Sequence, residues 1–220
     1  MKNLLLIFFI FPFFFYSKEL DDAEIHFLNK SSYKLIYPDE FAPCIQTENL
    51  SELGKLTALH FLKWVEKNPE GVIALPTGKT PEFFIKYLKY YKKSKRDQTI
   101  LKELQKFNIK KFPDTSSLKF VQLDEFFPID PSQKNSFTYF IKKYYIDLLD
   151  LKKENILTME EIYTPTLKKF GIETIFSDGK INLKQLKTSE DPLQKIVYKE
   201  ILDFCDKYEK KIKIQKIMKS

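Results

Sequence analysis

Two short segments of the 220-residue chain combine residue types that could carry chemistry. Leu75 to Pro81, with the sequence LPTGKTP, has the pattern of a strand end, a glycine turn and the start of a helix. Such a turn often binds phosphate, because the first backbone N–H groups of a helix have no partner inside it. Asp124 and Glu125 directly follow a second apolar run, where a carboxylate could serve as a general base. Together the segments predict an enzyme that acts on a phosphorylated small molecule.

The candidate residues follow from these segments: Thr77, Gly78, Lys79 and Thr80 for binding phosphate, Asp124 and Glu125 for catalysis. Each segment also has a structural explanation. The first could be a plain glycine turn capped by Thr77, and the two acidic residues could cap a helix or anchor a loop. A nucleotide-binding P-loop does not fit, because its first glycine would fall at Ile73. The pattern favours the phosphate site and functional carboxylates.

The surrounding hydrophobic pattern predicts the elements that hold both segments. Helical periodicity begins at Asn49, and its apolar face comprises Leu50, Leu53, Gly54, Thr57, Phe61, Trp64 and Val65. Apolar strands are expected at 72–75 and 119–123, each followed by a helix; the second helix is capped by Asn135 or Ser136, and a last helix starts near Pro192. Residues 174–176 and 181–183 are expected to form a hairpin. The alternation favours an α/β fold with a mainly parallel sheet.

Composition bounds the class of protein. The chain has 37 Lys and Arg residues against 30 Asp and Glu, a net charge of +7, but Arg96 is the sole arginine and the lysines are scattered. This distribution argues against a nucleic-acid partner. Cys44 and Cys205 are far apart, and His26 and His60 form no motif with metal-ligand spacing. The sequence therefore predicts neither a metal site nor a cofactor.

The N-terminus has a different character from the remainder. Leu4 to Tyr16 is apolar without interruption after a short basic start, which is typical of a signal peptide or an anchor. The run is shorter than the ~20 residues that a membrane-spanning helix needs. Residues 1–17 are therefore expected to contact a membrane or direct export, through residues 4–16, and residues 18–44 to form an irregular lead-in.

Several motifs resemble one enzyme family when taken in order. LPTGKTP at 75–81 is similar to the phosphate loop L-P-T-G-[GS]-T-P of the glucosamine-6-phosphate deaminase/isomerase and 6-phosphogluconolactonase family, and LDEF at 123–126 to its M-D-E-[YF]. Supporting likenesses are NSF at 135–137, ENI at 154–156 and the C-x-x-Y-E-x-x-I pattern at 205–212. The resemblance runs from about residue 45 to residue 212.

This resemblance implies a Rossmann-like three-layer sandwich, cytoplasmic location and a phosphorylated amino sugar as ligand. Gly78, Lys79 and Thr80 would hold the phosphate, and Asp124 would move a proton between C2 and C1 of the sugar. A homo-oligomer is compatible with it. The domain would occupy 45–212, with an inserted hairpin at about 163–190 and a tail at 213–220.

The chain also departs from the family pattern. Lys79 stands where the deaminases have a small residue, and the motif G-G-[IV]-G-x-D-G-H-I-A-F-N-E-P, which supplies a ring-opening histidine, does not follow residue 212. The sheet is therefore expected to be incomplete at its C-terminal end. The sequence predicts a deaminase-like protein, truncated and weakly active or inactive. The alternatives are a non-catalytic phosphosugar-binding or interaction protein and a 6-phosphogluconolactonase-like hydrolase.

Overall fold

A computed structural model describes residues 20–31, 45–177, 179 and 181–217 of the chain. The apolar run at 4–16, Cys44 and two turn residues of the expected hairpin, Asp178 and Lys180, lie outside these residues. The helices are α1 Asp22–Lys30, α2 Leu50–Lys67, α3 Glu82–Lys92, α4 Gln98–Gln105, α5 Phe137–Ile141, α6 Pro165–Phe170, α7 Ile172–Ile175, α8 Leu183–Thr188 and α9 Pro192–Ile217. The strands are β1 Val72–Ile73, β2 Lys119–Val121 and β3 Ile156–Leu157.

The three strands form one parallel sheet in the order β1-β2-β3. Val72 pairs with Lys119, and Phe120 with Ile156, so β2 is central and both neighbours run in its direction. The predicted α/β class with a parallel sheet is confirmed, although β1 and β2 are shorter than expected. Because parallel strands end at the same edge, the segments after β1 and β2 emerge side by side.

The main core lies where α2 and α3 pack on each other and on the sheet. Leu59, Leu62, Leu88 and Phe120 are fully buried there, and the aromatic ring of Tyr145 packs against that of Phe120. This core fixes the position of β1, of β2 and of the helix that follows the first segment.

Gly54 allows the close approach of α2 to α3. A Cβ atom on Gly54 would lie 2.4 Å from the Cβ of Phe83 and 2.6 Å from its backbone carbon. Such contacts are far inside van der Waals distance, and the backbone cannot yield as a flexible side chain can. A glycine at this position therefore sets the spacing of the two helices that frame the sheet.

The predicted apolar face of α2 is buried only in part. Phe61 and Val65 are in the core, but Leu50 is 64% exposed, Leu53 41% and Trp64 37%. The inward face instead comprises Gly54, Leu56, Ala58, Leu59, Phe61, Leu62 and Val65. The helix has apolar residues on two stripes, and periodicity alone does not say which stripe meets the core.

Two predictions for irregular or extended segments differ from the structure. Helix α1 lies within the expected lead-in at 18–44, where Asp21 and Glu24 form a reciprocal capping box. Helices α7 and α8 stand where the hairpin strands were expected, and with α6 they pack on α9 around Leu167, Phe176 and Val197. The short apolar runs in the segment of the expected hairpin fit either a strand or a helix, and packing against α9 favours helices.

The helix of the N-terminal lead-in contacts α2 through charged groups. Lys63 of α2 lies 3.2 Å from Asp21, and Lys30 pairs with Glu52.

Among the described residues, no helix has both the length and the apolar character needed to cross a membrane.

Candidate active site

The loop between β1 and α3, residues 75–81, presents backbone amides at the carboxyl edge of the sheet. Gly78 has a φ of 86°, a conformation that favours glycine. Helix α3 begins after Pro81 without a side-chain cap, so the structure does not show the alternative in which Thr77 caps the helix that follows the turn. Within the described ranges no hydrogen bond engages the backbone N–H groups of Gly78, Lys79 and Thr80, which leaves them available to an anion.

A buried tyrosine holds this loop in place. The Tyr145 hydroxyl donates a 2.6 Å hydrogen bond to the carbonyl of Pro76, and its side chain is fully buried. Burial raises the pKa of Tyr145, so the hydroxyl remains a donor at neutral pH. The π-helical turn Lys142–Ile146 that follows α5 carries this tyrosine. One end of the loop is thereby fixed, while the residues near Gly78 stay exposed.

Charge at the start of α3 is balanced locally. Glu82, in the first turn, would oppose a bound anion, but the ammonium group of Lys86 lies 2.7 Å from its carboxylate. The hydrogen bond from Lys86 lowers the pKa of Glu82. Lys79 is exposed in the loop itself, so its charge adds to the attraction for phosphate.

Asp124 and Glu125 have different environments. Asp124 is exposed, and no hydrogen bond or ion pair engages its carboxylate within the described part of the chain. Glu125 instead accepts hydrogen bonds from the Ser136 hydroxyl at 2.8 Å and from the amides of Phe137 at 2.9 Å and Thr138 at 2.8 Å. Of the two carboxylates, Asp124 is the one free to accept a proton from a ligand.

The hydrogen bonds also determine the ionisation of Glu125. Burial acts to raise its pKa, but the amides of Thr138 and Phe137 and the Ser136 hydroxyl stabilise the anion more strongly. The net result is a pKa below the ordinary value for glutamate. A carboxylate held as an anion by the first turn of a helix is suited to anchoring that helix, not to proton transfer near neutral pH.

The comparisons with known proteins point to one group of enzymes. Over 112 residues the chain is 28% identical to a glucosamine-6-phosphate deaminase of Oceanobacillus iheyensis, covering 51% of this chain and 38% of that protein. Over 138 residues it is 27% identical to a glucosamine-6-phosphate deaminase of Clostridium tetani, covering 62% and 48%. A third, from Bacillus pumilus, is 28% identical over 110 residues. The chain is deaminase-like.

These matches confirm the resemblance predicted from the motifs and define its extent. The chain spans less than half the length of the curated relatives it matches, between 38% and 48%. No protein-family model matches the chain, and neither does a solved structure.

In this deaminase-like chain the residue that holds the Asp124 segment in place is Gln122, which sequence reasoning missed. Its buried side chain donates to the carbonyl of Asp124 at 2.8 Å and accepts from the Thr138 hydroxyl at 3.0 Å and from the Met159 amide at 2.8 Å. The same residue thus fixes the backbone of Asp124 and connects β2 to α5 and to the segment after β3. Its only signal in the sequence is a polar residue between the apolar residues Val121 and Leu123.

Of the two histidines of the deaminase-like chain, His26 lies outside this site, whereas His60 lines the groove beside the loop. His26 of α1 makes edge-to-face contacts with Phe27 and Phe107, and His60 of α2 faces Asp21 and Glu24. The motif residues therefore offer a candidate phosphate cradle, formed by loop amides without hydrogen-bond partners among the described residues, and one free carboxylate. The exposed stripe of α2 and the loop residues Leu75, Pro76, Thr80 and Pro81 line a groove of about 390 Å³ beside the cradle.

Proposed function

We propose that the chain binds a phosphorylated amino sugar at the carboxyl edge of β1 and β2, as a deaminase-like protein of carbohydrate metabolism. The observation that carries the proposal is the parallel pairing of β1 with β2, because it brings the strand ends that lead to Gly78 and to Asp124 to the same edge of the sheet. The curated relatives are named glucosamine-6-phosphate deaminases, which favours this branch over the lactonases. We assign the function to residues 45–212.

In the proposed complex each group has a separate task. The phosphate accepts hydrogen bonds from the amides of Gly78, Lys79 and Thr80 and from the Thr80 hydroxyl, and the Lys79 ammonium group adds charge. Asp124 removes the proton from C2 of the open-chain amino sugar and delivers it to C1, which leaves an imine at C2. Water then hydrolyses the imine to the ketose and releases ammonia. Glu125 acts as a positioning residue: it holds the first turn of α5 and, with Gln122, the backbone on both sides of Asp124.

We further propose that this chain binds the phosphosugar but converts it only slowly. Ring opening needs an acid–base group near the ring oxygen. His26 packs against Phe27 and Phe107, and His60, although it lines the groove beside the loop, has its Nε2 atom directed at Asp21 and Glu24. One positioned acid–base group contributes about 10²–10⁴-fold to a rate. Turnover of glucosamine 6-phosphate is accordingly expected to be slow. A purely binding role is the limiting case.

We also infer that the three-stranded sheet is one part of a Rossmann-like three-layer sandwich.

Titration calorimetry with glucosamine 6-phosphate tests the binding proposal directly. We expect heat of binding with the phosphosugar, weaker heat with inorganic phosphate and none with glucosamine, which lacks the phosphate. Thr80→Val and Lys79→Met should weaken binding, whereas Lys187→Met on exposed α8 is a matched control and should not. Equal affinity for glucosamine and glucosamine 6-phosphate would contradict a phosphate site at this loop.

A further inference from the structure

A second cluster of chemically active side chains lies between α1 and α2, outside the site described above. Asp21 caps α1, Glu24 stands in its first turn, and His60 comes from the middle of α2. The His60 Nε2 atom is 3.7 Å from Asp21 Oδ2 and 3.5 Å from Glu24 Oε1. One ligand atom from each of the three residues lies within 4.8 Å of the others.

The spacing of these atoms is that of metal ligands, not of hydrogen-bond partners. A hydrogen bond between nitrogen and oxygen has a length of about 2.7–3.2 Å. Two ligands bound to one tetrahedral zinc ion at about 2.0–2.1 Å are separated by about 3.4 Å. The measured 3.5 and 3.7 Å are close to that separation, and a small inward movement would complete it.

The imidazole nitrogen supplies an independent observation. The His60 Nε2 atom is buried and has no hydrogen-bond partner within the part of the chain that the structure describes. A buried polar atom without a partner costs about 1–3 kcal/mol, so such atoms in folded proteins usually point to a missing partner. An ion between the histidine and the two carboxylates would satisfy it.

The local structure already orients both carboxylates. Asp21 Oδ1 accepts hydrogen bonds from the amides of Ala23 and Glu24, each at 2.9 Å, and Glu24 Oε2 accepts one from the Asp21 amide at 2.6 Å. The second oxygen of each carboxylate is the one directed at His60. The capping box thus supplies the outer hydrogen bonds that hold metal ligands in position.

We propose that Asp21, Glu24 and His60 bind one Zn²⁺ ion that fastens α1 to α2. Imidazole and carboxylate groups are both zinc ligands, and two carboxylates balance the charge of the ion. Water from the cavity lined by Asp22, Lys63 and Asn108 completes the coordination of the ion. This inference departs from the sequence-based prediction of no metal site, because positions 21, 24 and 60 match no ligand-spacing motif, and it does not depend on the proposed function.

Lys63 provides a further test of the proposed zinc site. Its ammonium group lies 3.2 Å from Asp21 Oδ2, the oxygen assigned to the ion, and must swing away when Zn²⁺ binds. The lysine therefore competes with the ion for the same oxygen. Removing its charge should raise the affinity for Zn²⁺, an effect opposite to that of removing a ligand.

The test is a zinc titration of the full chain, stripped of metal and free of a polyhistidine tag. Calorimetry should show one binding event for Zn²⁺, and Zn²⁺ should raise the melting temperature. His60→Ala should weaken binding by about 10- to 100-fold or more, and Glu24→Gln, which keeps the capping geometry, should also weaken it. Lys63→Gln should strengthen it. His26→Ala and Cys205→Ser are the matched controls and should leave it unchanged.

The outcomes are separable. Absence of binding at millimolar Zn²⁺, unchanged affinity in both His60→Ala and Glu24→Gln, or an equal loss in His26→Ala would each overturn the proposal. If His60→Ala does not fold, Lys63→Gln and Glu24→Gln decide the matter, since neither removes a buried group from α2. Failure here would leave the proposal of phosphosugar binding at residues 75–81 unaffected, because the atoms proposed to bind the phosphate are not those proposed to bind the ion, and the reverse also holds.

Discussion

The Tyr208 hydroxyl donates a 2.6 Å hydrogen bond to the main-chain carbonyl of Gln122, a residue 86 positions earlier. Through this bond the long helix α9 contacts the strand end that carries Asp124. The Tyr145 hydroxyl makes the equivalent bond to Pro76 at the end of the neighbouring strand. Each of the two segments that carry the candidate site is therefore anchored by a buried tyrosine from a later helix.

Tyr208→Phe is expected to destabilise the chain by about 1–2 kcal/mol. The change removes one hydroxyl and leaves the Gln122 carbonyl without that donor in a buried place. Urea unfolding followed by circular dichroism measures the loss. Tyr198→Phe on the same helix is the control, since no hydrogen bond is described for its hydroxyl, and it should change stability by under about 0.5 kcal/mol. Equal effects of the two variants would mean that the bond contributes nothing.

The same tyrosine predicts a loss of stability in alkali. Burial raises the pKa of Tyr208 to about 12, against about 10 in the unfolded chain. The unfolded chain therefore loses this proton first, so the contribution is complete below pH 10 and declines as the pH rises towards 12. Unfolding free energies of wild type and Tyr208→Phe, measured at several pH values, should converge in this window. A constant difference from pH 8 to pH 12 would contradict the assignment.

The sequence predicted the elements with long periodic patterns and missed those that depend on partners. Helices α2, α3 and α9 were foreseen, because apolar residues recur along them at helical spacing. Helix α4 and strand β3 were not foreseen. Strand β3 has only two residues and acquires its conformation from pairing with β2. The helices at 172–188 likewise depend on packing against α9.

The candidate site shows the same division. The amides near Gly78 and the carboxylate of Asp124 were predicted from local patterns, because a glycine turn and a strand end are local features. Hydrogen bonds from residues 136–138 engage the carboxylate of Glu125 but not that of Asp124, and no local sequence pattern predicts this difference. Gln122 and Tyr208 are 86 residues apart, and their bond becomes visible only once α9 is packed on the sheet.

Glu125→Gln is expected to lower stability at neutral pH by about 1–3 kcal/mol, because charge-assisted hydrogen bonds to Ser136, Phe137 and Thr138 are lost. The pKa of Glu125 is lowered in the folded chain, so its stabilising effect is present above about pH 4.3, the unfolded value, and disappears as the pH falls through the folded value. Thermal unfolding at pH 7 and pH 3 should show a difference that narrows in acid. Glu161→Gln, at an exposed position, is the control and should match wild type at both pH values.

Asp124→Asn should have the opposite profile, with unchanged stability and lost proton transfer. The carboxylate is exposed and free of hydrogen bonds within the described residues, so its removal should alter the unfolding free energy by less than about 0.5 kcal/mol. If Asp124 is the base, exchange of the sugar's carbon-bound hydrogen with deuterium from solvent should slow by about 10²–10⁴-fold. Nuclear magnetic resonance of the phosphosugar in D₂O measures this exchange even where ammonia release is too slow to follow.

The exchange measurement needs two controls, because a change of rate could also arise from weaker binding. Asp203→Asn on the exposed side of α9 should retain wild-type exchange, and calorimetry should show that Asp124→Asn still binds the phosphosugar. Retained binding with lost exchange would identify Asp124 as the proton-transfer group. Unchanged exchange in Asp124→Asn would exclude it, and loss of exchange in Glu125→Gln at full stability would transfer that role to Glu125. Binding without measurable exchange in the wild-type chain would leave the protein a phosphosugar binder, since the cradle near Gly78 would then act without its base.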